Sequence, residues 1–351
     1  MAKKIVFILG SMGKGGAERV ISILSNYYIN KGCEVHIITL LDSKCEYELQ
    51  ESIRLKYIGD KNKKRIYQLP DWILGIREYI QEVNPDKIVS FVAIINIITI
   101  IACLGLNKEI IISERNDPYS DGRSRFIDIL TSVFYPLADK KVFQTKWAQS
   151  YFPNYVTKNS FIIPNPIQIE IEAIEESKSK IVSVGRLTPQ KNHKLLIDAF
   201  SRLIKKYPHY ELYIYGEGEL RQEYTQIIKS LSLESNIFLP GVVDNIHEEI
   251  KDAKMFVLSS NYEGLSNALL EAMMMALPCI STNCSGINEY ITHEHNGLLV
   301  PVNNLERLYE QMKNLIENDK LEKKIRSNCK SFSNDFSKSK VISMWESVIG
   351  F

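Results

Sequence analysis

Short apolar runs alternate with segments of helical periodicity along the whole chain, and this alternation constrains the fold more than any other feature. In the first half, residues 4–9, 34–40, 88–91 and 110–113 and the stretches around Val142 and Ile162 read as strands. Helices are predicted at 17–30, between Ile66 and Glu82, from Ile94, and between Arg125 and Leu137. The second half repeats the theme, with strands near Val182, Tyr213, Phe238, Val257, Ile280 and Leu299 and helices between them. The pattern predicts an α/β chain built on two parallel, doubly wound sheets. At 351 residues the chain exceeds one ordinary domain and can bury two cores. Ile163-Pro164-Asn165-Pro166 reads as the close of a first domain, 1–166, and the polar stretch 170–180 as the linker within a second region, 167–335.

Residues 88–106 are nineteen residues without a charge, close to the length that spans a bilayer. Ser90, Asn96 and Thr99 interrupt the run, and a buried strand at 88–91 followed by an apolar helix from Ile94 is the reading adopted. Cys33, Cys45, Cys103, Cys279, Cys284 and Cys329 show no CxxC pairing and no companion histidines at metal-ligand spacing, so they read as core or incidental thiols in a reducing compartment. Met1-Ala2-Lys3-Lys4 enters a five-residue apolar strand, too short for the core of a signal peptide, and a cytoplasmic location is expected. The formal net charge of +1 hides an asymmetry: residues 1–165 carry 22 Lys and Arg against 17 Asp and Glu, and residues 166–351 carry 21 against 25. A mildly basic first half suits an anionic membrane surface or a phosphorylated acceptor. It is not the dense basic patch of a nucleic-acid binder, and no nucleic-acid partner is expected.

Chemistry concentrates in two segments of the second half. In Asn261-Tyr262-Glu263-Gly264-Leu265-Ser266-Asn267-Ala268-Leu269-Leu270-Glu271-Ala272, Gly264 breaks the chain after a strand and Ser266 is placed to cap the next helix. Amides freed at that helix start, with the helix dipole, suit a phosphate. Glu263 precedes the terminus and Glu271 lies about one and a half turns inside, roughly 7 Å further along the axis at 1.5 Å per residue. One acid on each side of a diphosphate is the layout of a nucleotide-sugar, with hexose at one end and ribose at the other; standing alone, the same segment is an ordinary surface helix with two acids. Upstream, Val184-Gly185-Arg186-Leu187-Thr188-Pro189-Gln190-Lys191-Asn192 runs from a strand's carboxyl end into a loop with two cations. Arg186 can grip phosphate in bidentate fashion and Lys191 supplies a point charge. Asn192 is read as the cap of the helix that follows, and His193 as a residue on that helix's surface.

Together with Gly216-Glu217-Gly218, Gly286 with Glu289, and Gly297-Leu298-Leu299-Val300, these segments resemble the family 4 glycosyltransferases (GT4), in the family's order across about 115 residues. The first half matches only through its glycine loop and strand–helix order. The resemblance implies the GT-B fold, two doubly wound Rossmann-like domains facing across a cleft, with the last helix and the rest of 336–351 returning to the first domain. It also implies a retaining hexosyltransferase using a nucleotide-sugar, with UDP-sugars favoured over GDP-mannose. Bacterial transferases of lipid-linked oligosaccharide, capsule or O-antigen synthesis are the nearest in kind. Glu263, Arg186 and Lys191 would be the catalytic set. Gly15, Gly16, Gly185, Gly216, Pro240, Gly241, Val242, Gly264, Leu265, Ser266 and Glu271 would complete the donor site. Neither metal nor other cofactor is expected, because cations and amides could neutralise the departing diphosphate.

The first half is more open to interpretation. Gly13-Lys14-Gly15-Gly16 after the first strand, with Asp42 ending the second, suggests a dinucleotide site, and the fingerprint lacks its third glycine where Glu18 stands. The loop then either lets the backbone approach the donor or is a tight turn with no ligand. Many family members place a sugar-contacting histidine where this chain has Arg115, so that role is not carried over. Arg115 and Asn116 touch acceptor or phosphate, or Asn116-Asp117-Pro118 merely turns the chain. Lys61, Lys63, Lys64 and Arg65 precede a helix, where they either hold a polyprenyl diphosphate at the membrane surface or are a solvated loop. Two rival functions remain on sequence alone: an NAD-dependent oxidoreductase using the glycine loop, and a nucleotide-sugar-binding protein without turnover.

Overall fold

The chain was described from a computed structural model that covers all residues except Met1, Lys14, Ser120, Gln168, 170–177 and Ser285; the side chains of Asn288 and 330–335 are likewise outside the description. It divides into two units, Met1–Pro166 with Ser339–Phe351, and Ile167–Lys338. The second unit thus extends past residue 335. Most of the expected linker, 170–177, lies outside the described residues, and Lys178, Ser179 and Lys180 are the start of a strand rather than linker.

In the first unit the strands are β1 (Lys4–Leu9), β2 (Glu34–Thr39), β3 (Arg54–Tyr57), β4 (Lys87–Phe91), β5 (Glu109–Glu114), β6 (Lys140–Phe143) and β7 (Ser160–Ile162). They form one parallel sheet in the order β3-β2-β1-β4-β5-β6-β7. Along β1, Val6 and Ile8 enter one core while Ile5, Phe7 and Leu9 enter the other, so the sheet is buried on both faces and its strands read as unbroken apolar runs. The exception is β3, which the sequence does not reveal. It is an edge strand, Arg-Leu-Lys-Tyr, with three of four residues exposed, and its polar composition hides it.

The uncharged run 88–106 resolves into β4, a turn at Val92 and the helix Ala93–Cys103. Among the described residues no helix is long and apolar enough to cross a membrane. The helix expected between Ile66 and Glu82 begins as a 3₁₀ turn, Arg65–Gln68, before the α-helix Leu69–Val83, whose Pro70 needs no amide partner in the first turn. The last helix, Lys338–Ile349, joins the first unit's core: Trp345 is fully buried and stacks on Phe91 with centroids 5.7 Å apart, and Lys140 Nζ donates to the Val348 carbonyl at 2.6 Å.

The second unit holds β8 (Lys178–Val184), β9 (Glu211–Tyr215), β10 (Ile237–Gly241), β11 (Ala253–Leu258), β12 (Cys279–Thr282) and β13 (Leu298–Val300), parallel in the order β10-β9-β8-β11-β12-β13. Each sheet reverses its winding beside its first strand, between β1 and β4 and between β8 and β11. A ligand crevice is expected outside the carboxyl ends of the strands at such a point.

Candidate active site

At the second switch point, Lys191 follows β8 and Glu263 follows β11. Lys191 Nζ lies 2.6 Å from Glu263 Oε1, and the Ser260 hydroxyl donates to the same oxygen at 2.6 Å. Both side chains are mostly buried, at 13% and 6% exposure, which removes the water that would otherwise screen the pair. Lys191, read from the sequence as a point charge for phosphate, here neutralises Glu263 and holds its carboxylate. Arg186 is exposed, and its guanidinium has no partner among the described residues.

The two loops are stitched together by groups that would otherwise be unpaired. The Asn261 amide donates to the Gln190 carbonyl (2.8 Å), the Asn261 side chain to the Pro189 carbonyl (2.9 Å), and Ser259 Oγ to the Lys191 carbonyl (3.0 Å). Asn192 stands at the N-cap position of its helix as expected, but its side chain makes no capping bond. It adopts the left-handed conformation (φ 47°) and its side chain donates to Asn261 Oδ1 (3.1 Å) and Asn303 Oδ1 (2.8 Å). His193 is not on the helix surface either: it is 1% exposed, its Nε2 has no partner, and burial, with Lys191 nearby, pulls its pKa down to about 4.

The glycines have a steric cause. Gly216 has φ +134°, and a Cβ there would lie 2.2 Å from the Gly185 carbonyl oxygen. A Cβ on Gly218 would lie 2.4 Å from the Leu187 carbonyl oxygen. Backbones of the loops after β8 and β9 therefore meet directly, with Gly185 N donating to the Tyr215 carbonyl and Leu187 N to the Glu217 carbonyl. Gly241 (φ +86°) ends β10 beside exposed Pro240 and Val242, and its carbonyl accepts from Gly216 N at 2.8 Å. Ser266 caps the helix Asn267–Met274 through the Leu269 amide (3.4 Å), with Gly264 and Leu265 in the preceding loop. Glu271, in the second turn of that helix, lies 3.2 Å from His247 Nε2. So the carboxyl edge of one sheet gathers Gly185, Arg186, Lys191, Gly216, Pro240, Gly241, Val242, Glu263, Gly264, Leu265, Ser266 and Glu271.

The remaining candidates belong to the first unit. Gly15 precedes and Gly16 opens the helix Gly16–Asn30, and the Tyr47 hydroxyl donates to the Gly15 carbonyl at 2.8 Å. Arg115 does not stand in solvent. It is 7% exposed, with its guanidinium 5.3 Å from the Phe91 and Trp345 ring centroids, donating through one nitrogen to the Ile163 carbonyl and Asn165 Oδ1 at 3.2 Å each. Burial lowers its pKa to about 9. Asn116 is exposed beside it. Lys63 pairs with Asp71 (2.8 Å), while Lys64 and Arg65 are exposed.

Residues 165–332 match the family model for group 1 glycosyl transferases, and residues 14–171 match that for glycosyltransferase family 4. The chain is 30% identical to an N-acetylgalactosamine-N,N'-diacetylbacillosaminyl-diphospho-undecaprenol 4-α-N-acetylgalactosaminyltransferase of Campylobacter jejuni, over 97% of each protein. It belongs to glycosyltransferase family 4. A second C. jejuni relative, a GalNAc-α-(1→4)-GalNAc-α-(1→3)-diNAcBac-PP-undecaprenol α-1,4-N-acetyl-D-galactosaminyltransferase, is 27% identical to the transferase over 99% of this chain and 98% of the relative. In fold the transferase resembles Anabaena HepE solved in complex with UDP, with a TM-score of 0.83, 18% identity and coverage of 98% and 99%. Its two parallel-sheet Rossmann-like domains are the GT-B architecture.

Family membership removes the oxidoreductase alternative. Asp42, which that reading needed for a ribose, accepts instead from Lys61 Nζ at 3.2 Å. Sequence reasoning missed Ser260 and His247, which touch the two glutamates. Ser260 lies three residues before Glu263 in a serine pair with no motif of its own. His247 is a lone histidine twenty-four residues from its partner, and nothing in the sequence points to their contact.

Proposed function

We propose that the transferase moves a hexose or N-acetylhexosamine, with retention of anomeric configuration, from a UDP-sugar to a polyprenyl-diphosphate-linked glycan in bacterial surface polysaccharide synthesis. The observation that carries this is the buried Lys191–Glu263 pair at the β8/β11 switch point, with the exposed Arg186 on the same loop as Lys191. A crevice with a held carboxylate, a shared ammonium and a free guanidinium suits a sugar hydroxyl next to a diphosphate. The undecaprenol-linked substrates in the names of both C. jejuni relatives and the UDP bound to HepE support the same donor and acceptor classes.

In this reading the sugar C1–O bond to the diphosphate breaks as the acceptor hydroxyl oxygen bonds to C1 on the same face. The hydroxyl proton passes to the departing phosphate oxygen. Arg186, Lys191 and the amides near Gly264 and Leu265 stabilise the charge that grows on the diphosphate, a role metals fill in other sites. Glu263 holds hexose hydroxyls, and Glu271, steadied by His247, accepts from the ribose. Lys191 moves its charge toward phosphate as the donor enters, which leaves Glu263 Oε1 held by Ser260 with room for a sugar hydroxyl. No residue is assigned as a covalent nucleophile. The protein would work where its lipid-linked acceptor lies, at the inner face of the cytoplasmic membrane. The test is release of nucleotide from a panel of UDP- and GDP-sugars with and without a polyprenyl-diphosphate glycan. Acceptor-dependent release from a UDP-sugar is expected; binding without release under every condition would leave only a sugar-nucleotide sensor.

A further inference from the structure

Two aromatic rings stand side by side in water on the carboxyl edge of the first sheet. Tyr119 lies in the loop after β5, and Trp147 in the short helix Lys146–Ser150 after β6. They are 48% and 38% exposed, with ring centroids 4.6 Å apart and planes at 39°. Among the described residues no other two exposed aromatic rings meet. Asn116, Lys146 and Ser150 are exposed on the same two segments, and the Tyr119 hydroxyl lies 3.4 Å from Ser150 Oγ.

The rings are exposed but not loose. Tyr119 meets Tyr151 edge-on at 4.8 Å, and the Tyr151 hydroxyl donates to Asp128 at 2.7 Å. The loop carrying Tyr119 turns on Asp117, whose Oδ1 accepts from the Tyr119 amide (3.1 Å) and whose carbonyl accepts from the Asp121 amide (2.9 Å). Arg123 then pins that loop to the core. Its side chain is 4% exposed, with Nη2 2.6 Å from Asp121 Oδ2 and 3.3 Å from Glu114 Oε2, an oxygen that also accepts from the Tyr135 hydroxyl at 2.8 Å. Moving the loop away would strand a buried charge, so the rings above it have one position. On the other segment, Thr145 caps the short helix through the Ala148 amide at 2.9 Å.

A rigid aromatic pair with hydroxyls and amides at its rim suits a sugar. The C–H face of a pyranose lies against the negative face of an aromatic ring, and its outward hydroxyls find polar partners at the rim. Topology decides which sugar this is. The reacting end of an acceptor is expected at the switch point between β1 and β4, whereas Tyr119 and Trp147 follow the next two strands of the sheet. At roughly 4.8 Å between neighbouring strands, β6 stands about 10 Å from β4. We propose that Tyr119 and Trp147 form a stacking platform for an inner sugar of the acceptor, one that does not receive the hexose, and so select acceptors carrying more than one sugar. The proposal rests on the reading of a glycan acceptor.

The test uses the purified full chain. Of its three tryptophans, Trp72 and Trp345 are buried, so acrylamide quenching of fluorescence reads Trp147. Free α- and β-linked N-acetylhexosamine di- and trisaccharides, without lipid, should protect Trp147 at concentrations at least tenfold below those at which the monosaccharides do. With diphosphoundecaprenyl acceptors of one, two and three sugars, Tyr119→Ala and Trp147→Ala should raise KM for the longer two at least tenfold. KM for the one-sugar acceptor and for the UDP-sugar should stay unchanged, and Tyr119→Phe should behave as wild type. Equal KM for all three acceptors in the wild type overturns the proposal, as does wild-type KM in Trp147→Ala. Protection of Trp147 by free oligosaccharides without transfer to any lipid-linked glycan would fault the proposed function and leave the platform standing; transfer without length preference or protection would do the reverse.

Discussion

The carboxyl edges of the two sheets are built on opposite principles. In the second unit the charged and polar side chains of the candidate site, Arg186 apart, are held by neighbours among the described residues: Lys191 on Glu263, Ser260 on Glu263, His247 at Glu271, and Asn192 on Asn261. In the first unit the cation that could have met a ligand, Arg115, is buried between two aromatic rings, while apolar groups stand in water. Fixed polar geometry suits a donor whose charge distribution never varies. The first edge offers apolar surface in place of a fixed polar network.

The largest effects should fall on the second edge. Arg186→Ala should lower kcat/KM for the donor by about 10²-fold or more, and Arg186→Lys should restore only part of it because an ammonium cannot make the bidentate contact. Wild-type kinetics in Arg186→Ala would break the contrast outright. Lys191→Ala should lose activity and also about 3–5 kcal/mol of stability, since it strands a buried carboxylate; urea unfolding separates the two losses.

Gly216→Ala comes next. Its backbone strain alone should cost about 1–3 kcal/mol, with the clash against the Gly185 carbonyl added, read as a lower urea midpoint. A neutral result would mean that the two loops are not in contact.

His193 ties stability of this edge to pH. Its folded pKa of about 4 lies below the unfolded value, so its contribution is complete above about pH 6.5 and is lost as pH falls toward 4. Over that window the loss is about 3 kcal/mol at most. His193→Gln should flatten the acid limb of the stability curve; an unchanged limb would assign the acid sensitivity elsewhere. The smallest effect belongs to the first edge, where Phe126→Ser should shift unfolding by less than about 0.5 kcal/mol, because the side chain supports no core.

That contrast also explains what the sequence revealed. The six strands of the second sheet were legible because each centres on a short apolar run, and its candidate site drew notice because charged residues in glycine-bounded loops have few structural reasons to be there. The edge strand β3 was hidden by its polar residues. The helix carrying Phe126, Ile129 and Val133 was legible but their exposure was not, since a helix apolar on two sides has the same periodicity whichever side is covered. The burial of Arg115 depends on Trp345, more than two hundred residues away along the chain, and no local pattern encodes that contact.

The divided roles of the two glutamates are tested most directly by donor kinetics of Glu263→Ala and Glu271→Ala with a UDP-sugar and a lipid-linked acceptor. Glu263→Ala is expected to lower kcat by about 10²- to 10³-fold with UDP affinity nearly unchanged, and Glu271→Ala to weaken UDP binding with a much smaller change in kcat. Comparable losses of turnover and nucleotide affinity in both variants would contradict the assignment of Glu263 to the transferred sugar and Glu271 to the ribose.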